Sequence, residues 1–203
     1  MFQRLRDYFR PAPLASAGAL RTFLEERAAL IAQKCAIDYC RGKTGLASYA
    51  LFTEKPFLDA LEICRWETFA AALGDLCIVA EGHLRPHAGA GELPALRAAL
   101  VGLHAQTLDR LPVPAHRAQG WRDAIESLGS RMPVAAAGEP PRARDVADHS
   151  AKKLFDTLPI HLSMRELDEE VVYGAVRFRM VAVSQEMERR LRGAELVRDL
   201  LAA

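Results

Sequence analysis

Strand patterning is nearly absent from this 203-residue sequence, and so is any long apolar run free of charge. The most apolar stretch, Phe69 to Val79, is cut by Asp75 and falls well short of the ~20 residues a membrane-spanning helix needs. An excess of one charge is missing as well. The 27 Lys and Arg against 26 Asp and Glu leave a net +1, which excludes the broad basic footprint of non-specific nucleic-acid binding. The four cysteines, Cys35, Cys40, Cys64 and Cys77, form no C-x-x-C pair. Cys35 and Cys40 diverge by about 140° on a helix, so all four read as buried free thiols of a reducing cytosol. The opening MFQRLRDYFRPAP carries positive charge with no apolar segment behind it, so no secretory signal is expected and the expected location is cytoplasmic.

Motifs of catalysis are also scarce. Gly42-Lys43-Thr44 imitates the end of a phosphate-binding loop, but Ile37 stands where the loop needs its earlier glycine, and a helix precedes it instead of a strand. None of His83, His87, His104, His116, His149 and His161 fits the H-E-x-x-H or Glu-x-x-His spacing of helical zinc and di-iron sites. Glu81, His83 and His87 could meet at one helix end, where a solvated, dipole-favoured terminus is the simpler account. No G-x-S-x-G elbow announces a serine hydrolase, which leaves only a convergent Ser–His pair built on His149 or His161. No cofactor and no metal is expected, and the balance leans away from an enzyme.

What the sequence has in abundance is helical periodicity. Half of the residues are hydrophobic, and a chain of this length buries roughly 70% of its unfolded surface, so packing alone can stabilise it. Ser16 can cap a helix running to about Cys40, which the Arg41–Gly45 segment stops. Thr53 can cap a second, with Pro56 in its first turn, that continues to about Leu84 and forms the expected centre. Further helices are expected from Leu93 to Leu111, Gln119 to Arg131 and Asp145 to Leu158. Ser163-Met164-Arg165-Glu166 fits a capping box for a last and longest helix, which presents Leu167, Val171, Val172, Ala175, Phe178, Val181, Ala182 and Met187 and frays beyond Gly193. The pieces predict an all-α, single-domain helical bundle spanning 1–203, of about six to eight helices with long central and C-terminal members. The Ala-, Gly- and Pro-rich stretch 133–141 is the expected mobile linker.

Two functions fit these features. Plentiful helices without catalytic motifs favour a non-enzymatic interaction protein, an adaptor, assembly factor or regulator that meets a protein partner or a second copy of itself; an exposed apolar patch would mark it. The alternative is an enzyme or carrier holding a small apolar ligand between helices. Trp66, Phe69, Phe155 and Phe178 would line that space, and His149, His161 and Arg179 would supply its polar contacts. Within 1–12, Phe2, Leu5, Tyr8 and Phe9 share a helix face flanked by Arg4, Arg6 and Arg10. That layout suits a partner's groove or weak attachment to the inner face of a membrane.

Overall fold

Ser16 opens the first long helix as its position demands, its side-chain oxygen accepting the Ala19 amide at 3.2 Å in the computed structural model, which describes residues 11–202. This helix, α1 (Ala17–Thr44), passes through Gly42 and stops at Gly45. There a φ of 52° enters the left-handed region open to glycine, and the Gly45 amide reaches back to the Arg41 carbonyl. A short helical turn, Ser48–Leu51, leads to α2 (Lys55–Leu84). Pro56 lies in the first turn of α2 as expected, but Thr53 is not its cap. The Thr53 hydroxyl donates backwards to the Ala50 carbonyl at 2.6 Å, and Glu54 occupies the cap position without a side-chain bond.

At 30 residues α2 is the longest helix described, and every residue from Thr68 to Glu81 is buried. It is flanked by α1, α3 (Leu93–Asp109), α4 (Arg122–Ala135), α5 (Asp148–Thr157) and α6 (Glu169–Arg190). Such burial is possible because Ala70, Ala71, Ala72, Gly74 and Ala80 leave room for neighbours to approach at the density of a protein interior. Fully buried Leu73, Leu76, Leu96, Leu100, Leu108 and Leu128 fill the centre, each contributing about 1.5–3 kcal/mol of transfer free energy. The result is an all-α, single-domain helical bundle.

The C-terminal third departs from expectation. Ser163 does not cap the long helix; it lies in a separate turn, Leu162–Arg165, capped by the His161 ring. Helix α6 begins later, at Glu169, and its 22 residues make it shorter than α2. Beyond Gly193 the chain does not fray. It forms α7 (Gly193–Ala202), whose Leu196, Val197 and Leu200 are buried. The His87 ring lies so close over Gly193 that a Cβ added there would fall 2.1 Å from it, so only glycine suits this junction. Within 133–141, Pro133 to Ala135 belong to α4. The Ala136 carbonyl accepts from Arg97, the Gly138 carbonyl accepts from Arg85, and Pro140 lies against Gly82.

Most consequential is the orientation of α6. Its core face carries Val172, Val176, Met180, Val183 and Met187. Leu167, Val171 and Phe178, expected among the packing residues, instead point to solvent at 92%, 64% and 75% exposure. The helix therefore owns two apolar stripes, and only one is covered.

Candidate functional site

Small residues on one side of α2 create a cleft. Ala70, Ala71 and Gly74 form its floor, while α4 and α5 raise its walls, enclosing about 120 Å³. At one end Glu67 receives Arg117 through a two-pronged contact, Nε to Oε1 at 2.7 Å and Nη2 to Oε2 at 2.8 Å. His116 Nε2 approaches the same Oε1 at 2.9 Å, and Lys153 Nζ lies 3.8 Å from Oε2. Arg117 also donates to Asp123 at 2.6 Å and stacks over the Trp121 ring at 4.5 Å, which locks its planar head in place. Burial alone would raise the Glu67 carboxyl, but Arg117, His116 and Lys153 outweigh it and hold the group below its ordinary range.

At the other end lies Asp75, wholly buried in α2. Its Oδ1 takes a hydrogen bond from Arg131, and its Oδ2 accepts the Ser150 amide at 3.0 Å. That amide belongs to the first turn of α5, whose cap residue Ala147 has no side chain to offer, so Asp75 supplies the N-terminal cap from another helix. Burial raises the Asp75 carboxyl above the usual carboxylate range against the pull of Arg131 and Ser150.

Two histidines flank this arrangement. His149 lines the cleft, and burial together with the nearby Arg131 and Lys153 cations depresses its pKa to about 4. His104, fully buried on α3, stands behind the floor, its Nε2 3.6 Å from where a Gly74 Cβ would lie. Neither of its ring nitrogens makes a hydrogen bond among the described residues. Burial lowers its pKa to about 4, although the nearby Ala70 carbonyl favours the charged form.

The expected ligand residues are spread over several surfaces. Trp66 and Phe69, edge to face at 5.9 Å, line a separate open groove of about 320 Å³ between α1 and α2. His149 belongs to the polar cleft. Phe155 lies under the Arg165 guanidinium at 4.8 Å, and His161 is an exposed cap. Phe178 and Arg179 border a third groove beside Leu30 of α1, where Arg179 donates to Asp38 at 3.0 Å. The basic amphipathic segment with Phe2, Arg4, Leu5, Arg6, Tyr8, Phe9 and Arg10 lies outside the described residues.

Other suggestive motifs resolve into structural contacts. Lys43 bonds Asp168 at 2.6 Å, and the Thr44 hydroxyl bonds the Cys40 carbonyl, so Gly42-Lys43-Thr44 is a helix end. Glu81, His83 and His87 diverge: Glu81 turns inward to Arg85 and Arg97, His83 meets Ser184 at 2.9 Å, and His87 covers Gly193. Among the described residues, the His83–Ser184 and His161–Ser163 pairs have no carboxylate bonded to the second ring nitrogen. No group of three or more metal-ligating side chains occurs among the described residues. Nor is any of the described helices long and apolar enough to cross a membrane.

Sequence reasoning missed Glu67, Asp75, Arg117, Arg131 and Lys153. One signal was available, the lone Asp75 inside the most apolar stretch of the chain. Set against known protein families, curated proteins and solved structures, the chain matches none. Its class is that of an all-α helical bundle, and the reading of its function rests on its own surfaces.

Proposed function

We propose that the protein is a non-enzymatic interaction module, acting as an assembly factor or regulator, that works through the outward face of α6 and binds a second copy of itself there. The supporting observation is the uncovered stripe of Val171, Gly174, Ala175, Phe178 and Ala182 on α6, spaced like the seam of a coiled coil, with the exposed Leu167 in the turn just before the helix. Leu30 of α1, itself 43% exposed, widens it. An isolated bulky apolar residue on a surface is ordinary; a run of them along one helix face is the mark of a contact surface.

The stripe is complementary to itself. Two copies of α6 laid antiparallel about an axis at Gly174–Ala175 bring Val171 of each against Phe178 of the other. The small residues at the centre let the backbones approach. Glu170 and Arg177 occupy the same flank, opposite in sign and two turns apart, and they already meet within one chain at 3.3 Å. A two-fold operation places Glu170 of each copy near Arg177 of the other, which favours the isologous pairing commonest among soluble oligomers. On α6 the stripe covers only about 16 Å of helix, a contact of the size that suits a weak, transient dimer.

A cytoplasmic location accords with this reading, because all four cysteines are free and buried, the state a reducing compartment maintains. Sedimentation velocity over a range of protein concentrations tests the proposal. The wild type should form dimers as concentration rises, and Phe178→Glu should remain monomeric with an unchanged helical circular-dichroism spectrum. A wild type that stays monomeric at hundreds of micromolar overturns it.

A further inference from the structure

The polar cleft between α2, α4 and α5 differs from a purely structural ion-pair network in how its charges are spent. Its acids are committed: Glu67 is held by Arg117 and His116, Asp123 by Arg117, and Asp75 by Arg131 and the Ser150 amide. Its donors are not. The Ser127 hydroxyl, the His149 ring and the remaining N–H groups of Arg131 make no hydrogen bond among the described residues, and Lys153 has only the 3.8 Å approach to Glu67. The space they face holds about 120 Å³, room for several water molecules or one small polyatomic ion.

Unspent donors around a small space select an acceptor-rich guest. The local field has the same sense: Arg131 and Lys153 both disfavour a proton on His149. Of the acids near that ring, Asp145 is bonded by Arg142 and Arg144, Asp148 by Arg177, and Glu67, Asp123 and Asp75 by the partners given above. The floor of Ala70, Ala71 and Gly74 carries no side chain longer than a methyl group, so the guest can approach α2 closely.

The geometry points to a binding site for a small oxyanion, a carboxylate or phosphate group held by Ser127, Arg131, His149 and Lys153. Arg131 offers planar N–H donors suited to two oxygens, while Lys153 supplies a mobile point charge at the rim. The oxyanion is either a free ion or the charged end of a larger molecule whose remainder projects from the mouth. This site uses helices and residues separate from the outward face of α6, so it stands or falls independently of the self-association proposed above.

Isothermal titration of the full chain with inorganic phosphate, with acetate and with a monoalkyl phosphate tests the assignment. Saturable binding of one or more is expected, with equal affinities for phosphate and its monoalkyl ester if the remainder of the guest stays outside the cleft. Lys153→Met and Ser127→Ala are the variants of choice, because Arg131 also supports Asp75. Each should weaken binding about tenfold, equivalent to ~1.4 kcal/mol, with thermal stability held within a degree or two. Phe178→Glu should leave the affinity unchanged. Absence of saturable binding by all three probes into the tens of millimolar overturns the proposal, as does binding that neither variant weakens.

Discussion

Replacing His104 by leucine should stabilise the protein, and more so as the pH falls. The imidazole is fully buried with neither nitrogen hydrogen-bonded among the described residues, a condition that costs on the order of 1–3 kcal/mol per unsatisfied polar group. Leucine has a similar volume, so His104→Leu exchanges that cost for ordinary packing and should gain about 1 kcal/mol near neutral pH. Protonation adds a second contribution. Folding takes this histidine from a pKa of 6.5 to about 4, so between those values the unfolded chain binds a proton the folded one does not. Stability from this group is complete above pH 6.5 and declines as the pH drops toward 4. Between pH 7 and pH 5 the loss is about 2 kcal/mol, and leucine is spared it. His149 titrates in both proteins and cancels from the comparison. Urea denaturation followed by circular dichroism, for both proteins at the two pH values, should show the gap in unfolding free energy widening from about 1 to about 3 kcal/mol. A gap that does not change with pH would refute the reasoning, as would a variant less stable than wild type at both values.

Burial lifts the thiols of Cys35 and Cys64 to about 11 and those of Cys40 and Cys77 to about 12. A disulfide reagent near pH 8 should therefore label none of the four in the native protein and all of them in urea; prompt native labelling of any one would contradict its burial. Gly193→Ala drives a Cβ into the His87 ring and should cost about 1–3 kcal/mol by forcing the turn away from α7, with a matching drop in the melting temperature. An alanine variant as stable as wild type would show that the turn moves freely. Self-association lost in Phe178→Glu and phosphate affinity lost in Lys153→Met should appear separately, each variant retaining the property the other lacks.

The parts of this fold legible in the sequence are those decided by neighbouring residues. Ser16 caps α1 because its acceptor lies three residues away, and Gly45 ends the same helix because the left-handed turn needs glycine where it stands. Thr53 was legible in kind but not in direction, since a hydroxyl between two helical segments can bond either way, and here it bonds Ala50. Helix α6 shows the limit of periodicity. Val172, Val176, Met180, Val183 and Met187 repeat with the same spacing as Leu167, Val171, Phe178 and Ala182, so the sequence offers two faces and no rule for choosing between them. The cleft was illegible for a different reason. Glu67 and Arg117 are 50 positions apart, and Asp75 lies 75 from the amide it caps, so these pairings exist only once α2, α4 and α5 have docked.

The backbone contact at the start of α1 bears on how the molecule is made. Leu14 donates to the Arg190 carbonyl at 2.9 Å and accepts from the Arg192 amide at 3.0 Å, the one parallel bridge among the described residues. The segment ahead of α1 must wait until the end of α6 has been made before it is secured. Closing so large a loop is entropically slow, so the α1–α2 hairpin spends synthesis with this side of its apolar surface uncovered. The clasp is then a late stitch, and a nascent chain stalled short of α6 is left as a client for whatever shields oily surfaces in the cell.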